Sequence, residues 1–148
     1  MTNPPSALNI VCPSCSAVNR VLADKAGDGP RCGKCKSPLF PGGPVVLNEG
    51  NFDTQIARND IPVVVDFWAP WCGPCRMMAP GFEQAAAELE PNVRLAKLNT
   101  EEARSIAARF DIRSIPTLVI FRNGRETARQ SGAMQHAQLV QWVRAHAG

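Results

Sequence analysis

At 148 residues the chain is long enough for one full core and a small appendage, and its 45% apolar content suits a globular protein. Met1 to Leu8 hold no basic stretch ahead of an apolar one, and no apolar run approaches the ~18 residues of a membrane span, so neither export nor insertion is expected. The formal charge of +3 lies wholly in residues 1–44, where Arg20, Lys25, Arg31, Lys34 and Lys36 face only Asp24 and Asp28, while residues 45–148 carry eleven charges of each sign.

Residues 1–9 are polar with two prolines and read as a flexible start. All six cysteines fall in three CxxC pairs, Cys12/Cys15, Cys32/Cys35 and Cys72/Cys75, a spacing that favours metal or redox chemistry in a reducing compartment such as the cytoplasm. The first two pairs stand sixteen residues apart, within the spacing of four-thiolate zinc sites. Pro13 and Gly33 suit tight turns that each present two sulfurs, so Cys12, Cys15, Cys32 and Cys35 are expected to hold one structural Zn2+ with no open coordination position. Two small-ring disulfides or free thiols are the alternative. A segment of this size buries too little apolar surface to fold alone, so metal would supply most of its stability. Four thiolates and one divalent ion would also add about −2 to the basic segment, leaving little field for nucleic acid. Phe40, its single aromatic residue, offers no stacking platform for bases.

Pro38, Pro41, Gly42, Gly43 and Pro44 break the pattern and set the expected division into a four-cysteine module with linker, 1–44, and a second domain, 45–148. Val45 to Leu47 reads as a short strand and Asn51 to Ile56 as a helix capped by Asn48 or Asn51. Ile61 to Trp68 is an almost continuous apolar run, as for a strand covered on both faces, broken by Asp66. A carboxylate there is costly. Either backbone donors or water satisfy it, or burial raises its pKa and fits it for proton exchange.

That strand leads into Trp68-Ala69-Pro70-Trp71-Cys72-Gly73-Pro74-Cys75 and then a helical pattern. At a helix start Cys72 would face unpaired N–H groups and the positive end of the dipole, making it the more exposed thiol with the depressed pKa and the attacking thiolate. Cys75, one turn inside, would resolve the mixed disulfide. Pro74 is tolerated in the first turn and restrains the two sulfurs, and Gly73 lets a substrate backbone approach. Trp71 is placed on the substrate surface and Trp68 in the core. An incidental CxxC holding a metal or a static disulfide is the competing reading.

The helix runs to about Leu89, with Met78, Phe82, Ala85, Ala86 and Leu89 at core spacing, Pro80 as a kink, and Met77 and Met78 as packing. Val93 to Asn99 is a strand and Ala103 to Phe110 a helix. Thr117 to Phe121, a turn at Asn123-Gly124 and Glu126 to Ser131 form a hairpin that ends the sheet. Met134 to Ala147 is a closing helix with Leu139, Trp142 and Val143 inward. His136 and His146 lack partner spacing and read as solvated.

Val65-Asp66-Phe67-Trp68-Ala69 followed by Trp71-Cys72-Gly73-Pro74-Cys75 resembles the thioredoxin family signature. The likeness spans residues 45–148, and with the four-cysteine module the whole chain resembles the zinc-containing bacterial thioredoxin 2 group of that family. The resemblance implies the thioredoxin fold, an α/β architecture with a central mixed sheet flanked by helices, here carrying a small N-terminal zinc-binding module. It implies that Asp66 lies behind Cys75 and exchanges a proton with the dithiol, with Lys97 nearby. It also implies that Ile115-Pro116-Thr117 is a loop whose cis-Pro116 faces the disulfide. Ile115 would pair through its backbone with an extended substrate, and Gly132 would complete the apolar rim. Asp111 and Ser114 depart from the glycine common at those positions. The implied activity is reduction of protein disulfides, with NADPH-dependent thioredoxin reductase restoring the dithiol and no organic cofactor bound directly. A cytoplasmic monomer is expected, acting on disulfide-containing proteins and not on nucleic acid or membrane. Two other readings stand beside it: a disulfide oxidant or isomerase, and a zinc-based redox sensor or adaptor whose four cysteines release metal on oxidation.

Overall fold

The computed structural model describes residues 7–147. A two-stranded antiparallel sheet, β1 (Ala7–Val11) and β2 (Val18–Leu22), precedes a five-stranded mixed sheet. The latter contains β3 (Val45–Leu47), β4 (Val63–Trp68), β5 (Arg94–Asn99), β6 (Thr117–Arg122) and β7 (Arg125–Ser131) in the order β3-β5-β4-β6-β7. β3, β5 and β4 run parallel, and β6 and β7 continue antiparallel. The helices are α1 (Phe52–Arg58), α2 (Gly73–Leu89), α3 (Arg104–Arg109) and α4 (His136–Ala147). This is the α/β architecture that the sequence implied.

The central sheet is closed on both faces, which explains the apolar run of β4. Val63, Val65 and Phe67 pack with α1 and α3 residues such as Phe52, Ile56 and Ile106, while Val64 packs with Met78, Phe82 and Ala85 of α2 and Leu139 and Val143 of α4. Alternation along the strand puts Asp66 on the α2 face with Val64. On the other face Phe52, Phe110 and Phe121 form an aromatic triangle with centroid separations of 5.1–5.9 Å. Gly81 lets α2 and α4 cross closely, since a Cβ there would stand 3.3–3.4 Å from His136. Asn123 and Gly124 both take positive φ in the β6–β7 turn, the conformation that an Asn-Gly hairpin favours.

Several expectations change. Residues 7–9 are not a loose start: they belong to β1, and residues 1–6 lie outside the described residues. Met77 does not pack, being 83% exposed, because the buried stripe Cys75-Met78-Phe82 turns it to solvent. His136 is half-buried with Nε2 2.8 Å from Glu88 Oε1, a contact between two helices that sequence spacing does not reveal. Neither asparagine caps α1 through its side chain. Asn48 Oδ1 instead accepts from the Gly50 and Asn51 amides at 2.8 and 3.0 Å, and Asn51 Oδ1 accepts from the Asn48 amide at 2.7 Å.

The β1–β2 segment has its own small cluster of Ile10, Val21, Ala26 and Leu39, joined by Ile61 from the entry to β4. The free edge of β1 is taken up by polar groups from beyond residue 54. The Val11 amide donates to Asn59 Oδ1 at 2.8 Å, the Cys12 carbonyl accepts from Gln55 Nε2 at 3.0 Å, and Asn9 exchanges two bonds with Asp60 at 2.7 and 2.9 Å. Gln55 and Asn59 are both buried. Replacing Asn59 with Ala strands the Val11 amide, and we expect a loss of about 1–3 kcal/mol in urea unfolding, with faster hydrogen exchange confined to β1.

Candidate active site and candidate metal centre

β4 ends at Trp68, and the loop that follows delivers Cys72 as the N-cap of α2. Its extended backbone (φ −82°, ψ 111°) turns the sulfur toward the helix start, where Sγ accepts from the Cys75 amide at 3.2 Å. A side chain at this position replaces water as partner for a first-turn N–H. Cys72 and Cys75 are joined in a disulfide, with Cα atoms 5.3 Å apart. The Ile115–Pro116 peptide is cis, and the Ile115 carbonyl oxygen approaches Cys72 Sγ to 3.7 Å. Gly132, at φ 96°, braces this loop by donating its amide to the Pro116 carbonyl at 2.9 Å.

The expected difference in exposure between the two cysteines is absent: Cys72 is 4% exposed and Cys75 3%. Bonding to Cys75 and contact with Ile115 cover the first sulfur in this oxidised state. Trp71 is 65% exposed, with its Nε1 donating to Glu101 Oε1 at 2.8 Å; Arg104 holds the other carboxylate oxygen at 2.9 Å. Together Trp71, Ile112, Arg113, Ser114 and Ile115 line a shallow groove of about 180 Å³ beside the disulfide. Sequence spacing gave no signal for Glu101, which reaches Trp71 from a separate loop.

Asp66 is 1% exposed, and its Oδ1 has no hydrogen-bond partner among the described residues, so the backbone does not satisfy it. Burial pushes its carboxyl up to about 7, with the opposing pull of Lys97 too weak to cancel the cost. Lys97 is paired with Asp66 across the β4–β5 register and sets its Nζ 4.5 Å from the Trp68 ring centroid. Trp68 is accordingly half-exposed beneath a lysine, not enclosed in the core.

The four remaining cysteines sit on two turns of the same construction. Cys12 donates its amide to Ala17 and accepts from Ser16 at 2.8 and 3.0 Å, and Cys32 repeats this with Ser37 and Lys36 at 2.9 and 3.0 Å. Ser16 and Lys36 take positive φ to close the turns. Amides of Ser14 and Lys34 point at Cys12 and Cys32 Sγ, both at 3.4 Å. Asn19, unnoticed in the sequence, links the turns by accepting from the Gly33 amide at 2.9 Å and donating to Cys32 Sγ at 3.5 Å. The Cys35 amide, the Asn19 side chain and the Lys34 amide bring the Cys32 thiol down to about 6.

All four sulfurs lie within 4.8 Å of one another, with Cys12–Cys35 and Cys15–Cys32 at 3.6 Å. Tetrahedral zinc with Zn–S near 2.3 Å requires sulfur separations of roughly 3.8 Å, so this all-thiol donor set fits that ion.

A family model described as Thioredoxin matches residues 43–145. Thioredoxin C-3 from Corynebacterium nephridii is 48% identical over 134 residues, covering 90% of this chain and 92% of that protein. The chain belongs to the thioredoxin family. As a thioredoxin it is a thiol-disulfide oxidoreductase, a disulfide reductase of the thioredoxin type. Thioredoxins from Haemophilus influenzae (40% identical) and Nostoc sp. (thioredoxin 1, 41%) each align over 100 residues, 68% of this chain and 94% of theirs. A second model, described as Thioredoxin 2, N-terminal, matches residues 11–37, which include all four clustered cysteines and make this thioredoxin a zinc-ribbon member of the family. No helix among its described residues is long and apolar enough to cross a membrane.

The raised carboxyl of Asp66 gives this thioredoxin a contribution to stability that falls as pH rises. The protonated form of Asp66 is favoured in the folded chain, so its contribution is complete below pH 4 and is lost as pH rises to about 7. A difference of about three pH units between folded and unfolded chain corresponds to roughly 4 kcal/mol. We expect Asp66→Asn to gain on the parent progressively from pH 4 to 7 in urea unfolding and to hold a constant lead above pH 8; a pH-independent gap would contradict this origin.

Proposed function

We propose that the chain reduces protein disulfides in the cytoplasm through Cys72 and Cys75, with Asp66 as proton acceptor and residues 1–44 forming a zinc-binding domain beside a thioredoxin domain, 45–148. The observation that carries this reading is the Cys72–Cys75 disulfide at the start of α2, with the Ile115 carbonyl 3.7 Å from Cys72 Sγ.

In the reduced enzyme the Cys72 thiolate attacks one sulfur of a substrate disulfide. A mixed disulfide forms and the other substrate sulfur leaves as a thiolate. Cys75 then gives its proton to Asp66 and attacks Cys72 Sγ, expelling the second substrate thiolate. Two electrons have passed to the substrate, and the enzyme is left with the Cys72–Cys75 disulfide. NADPH-dependent thioredoxin reductase would return those electrons.

First-turn N–H groups at Cys72 favour its thiolate over the thiol. An Asp66 carboxyl near pH 7 can take and release a proton at little cost. Substrate would lie across Trp71, Gly73, Pro74, Ile115, Pro116 and Gly132. Nothing stands within 4 Å of where a Gly73 or Gly132 Cβ would be, which supports close passage of a substrate backbone. The Ile115 carbonyl, held beside Cys72 Sγ on the cis-Pro116 loop, supports strand-like pairing with a substrate backbone.

Cys12, Cys15, Cys32 and Cys35 would hold one zinc ion, which supplies a tetrahedral crosslink and no redox chemistry of its own. The segment's cluster of Ile10, Val21, Ala26, Leu39 and Ile61 is small, which supports a metal-dependent fold.

Cys72→Ser is expected to lower disulfide reduction by more than 1,000-fold, whereas Cys75→Ser is expected to accumulate a mixed disulfide visible by mass. Turnover by the Cys72 variant, or a dithiol potential well above that of the glutathione pool, would overturn the reductase reading. Removing zinc with a strong chelator is expected to release β1 and β2 in hydrogen exchange while the five-stranded sheet keeps its protection.

A further inference from the structure

Arg94 opens β5, and its side chain is 1% exposed, the largest fully buried side chain among the described residues. It runs under the β1–β2 segment. Nη2 donates to the Val11 carbonyl at 3.3 Å, the residue before Cys12, and the guanidinium stacks 4.9 Å from the Phe40 ring centroid. Its nearest carboxylate contact is loose, with Glu90 Oε1 4.0 Å from Nη1. Nε and Nη1 have no hydrogen-bond partner among the described residues.

A buried guanidinium with one long hydrogen bond and one distant carboxylate is poorly compensated. Glu90 is itself a weak balance, because burial raises its pKa while the Gly42 amide, 3.0 Å from Oε2, and Arg94 pull it down. The one strong negative group that the local chemistry can provide is the cysteine cluster. Four thiolates around a divalent ion carry a net charge of about −2, whereas four thiols carry none.

We propose that Arg94 is the buried counter-charge of the four-cysteine site, a positioning residue that holds the Val11–Cys12 backbone and is itself balanced when the sulfurs are ionised around zinc. This rests on the zinc reading above. Linkage makes the effect reciprocal: if ionised sulfurs stabilise Arg94, then Arg94 tightens zinc by the same factor. Glu90 has the opposite sign, since its charge both offsets Arg94 and repels the thiolates.

The two charges therefore separate an electrostatic role from a merely structural one. Zinc affinity is measured by competition with graded chelators on the full chain, together with hydrogen exchange at the Val11 amide. Arg94→Met is expected to weaken zinc at least tenfold, while Arg94→Lys, which keeps the charge, recovers most of that loss. Glu90→Gln keeps an acceptor for the Gly42 amide and is expected to bind zinc more tightly than the parent. A loss of less than threefold in Arg94→Met, or unchanged or weaker binding in Glu90→Gln, would overturn the proposal. If Arg94→Met does not fold, the sign of the Glu90→Gln effect decides alone. A parent protein that binds no zinc would overturn the underlying metal reading, an outcome distinct from zinc-loaded parent and variants of equal affinity.

Discussion

Both faces of β4 are closed, and the loop that carries the Cys72–Cys75 disulfide hangs from its end. Phe67 presses toward α1 and α3 while Val64 and Asp66 turn toward α2. The strand is therefore fixed in register and depth, and Trp68 emerges at a set point from which four residues, Ala69 to Cys72, reach the N-terminus of α2. A rigid strand and a rigid helix thus determine where the two sulfurs sit, while the cis-Pro116 loop, braced by Gly132, supplies the facing wall. Burying the central strand so completely carries an electrostatic cost at Asp66, and the same desolvation sets its carboxyl near neutrality.

Two polar side chains define the electrostatics of the sheet from opposite ends. Asp66 lies toward the C-terminal end of β4, and Arg94 begins the neighbouring β5. Each is about 1% exposed, and each has an atom without a partner among the described residues. Such groups survive in an interior when something outside ordinary packing compensates them: a proton at Asp66 and, on our reading, the charge of the sulfur cluster at Arg94. The edge of β1 is handled differently, with the neutral amides of Gln55 and Asn59 acting as substitute strand partners.

Much of this was legible because the informative residues are close in sequence. CxxC pairs report tight turns, the apolar run of β4 reports two covered faces, and Asn123-Gly124 reports a hairpin; each relation spans only a few positions. Contacts between separate elements left no such trace. Glu101 reaches Trp71 across 30 positions, Gln55 reaches Cys12 across 43, and Arg94 reaches Val11 across 83. Arg94 is also disguised, since arginine in a strand ordinarily marks a solvent face. Met77 is a different case: the stripe through Cys75, Met78 and Phe82 already excludes it, and only its apolar character suggested burial.

The repeat within the zinc ribbon has a consequence for how that segment can vary. Each turn is closed by its own hydrogen bonds and joined to the other through Asn19 and the sulfur cluster. Between them, residues 23–29 contribute no sulfur, and all but Ala26 are exposed. The stretch behaves as a spacer. Ala26 anchors it to the apolar cluster, while Gly27, Asp28 and Gly29 are exposed, so an epitope or label inserted among those three would be carried without disturbing either the four-cysteine cluster or the disulfide.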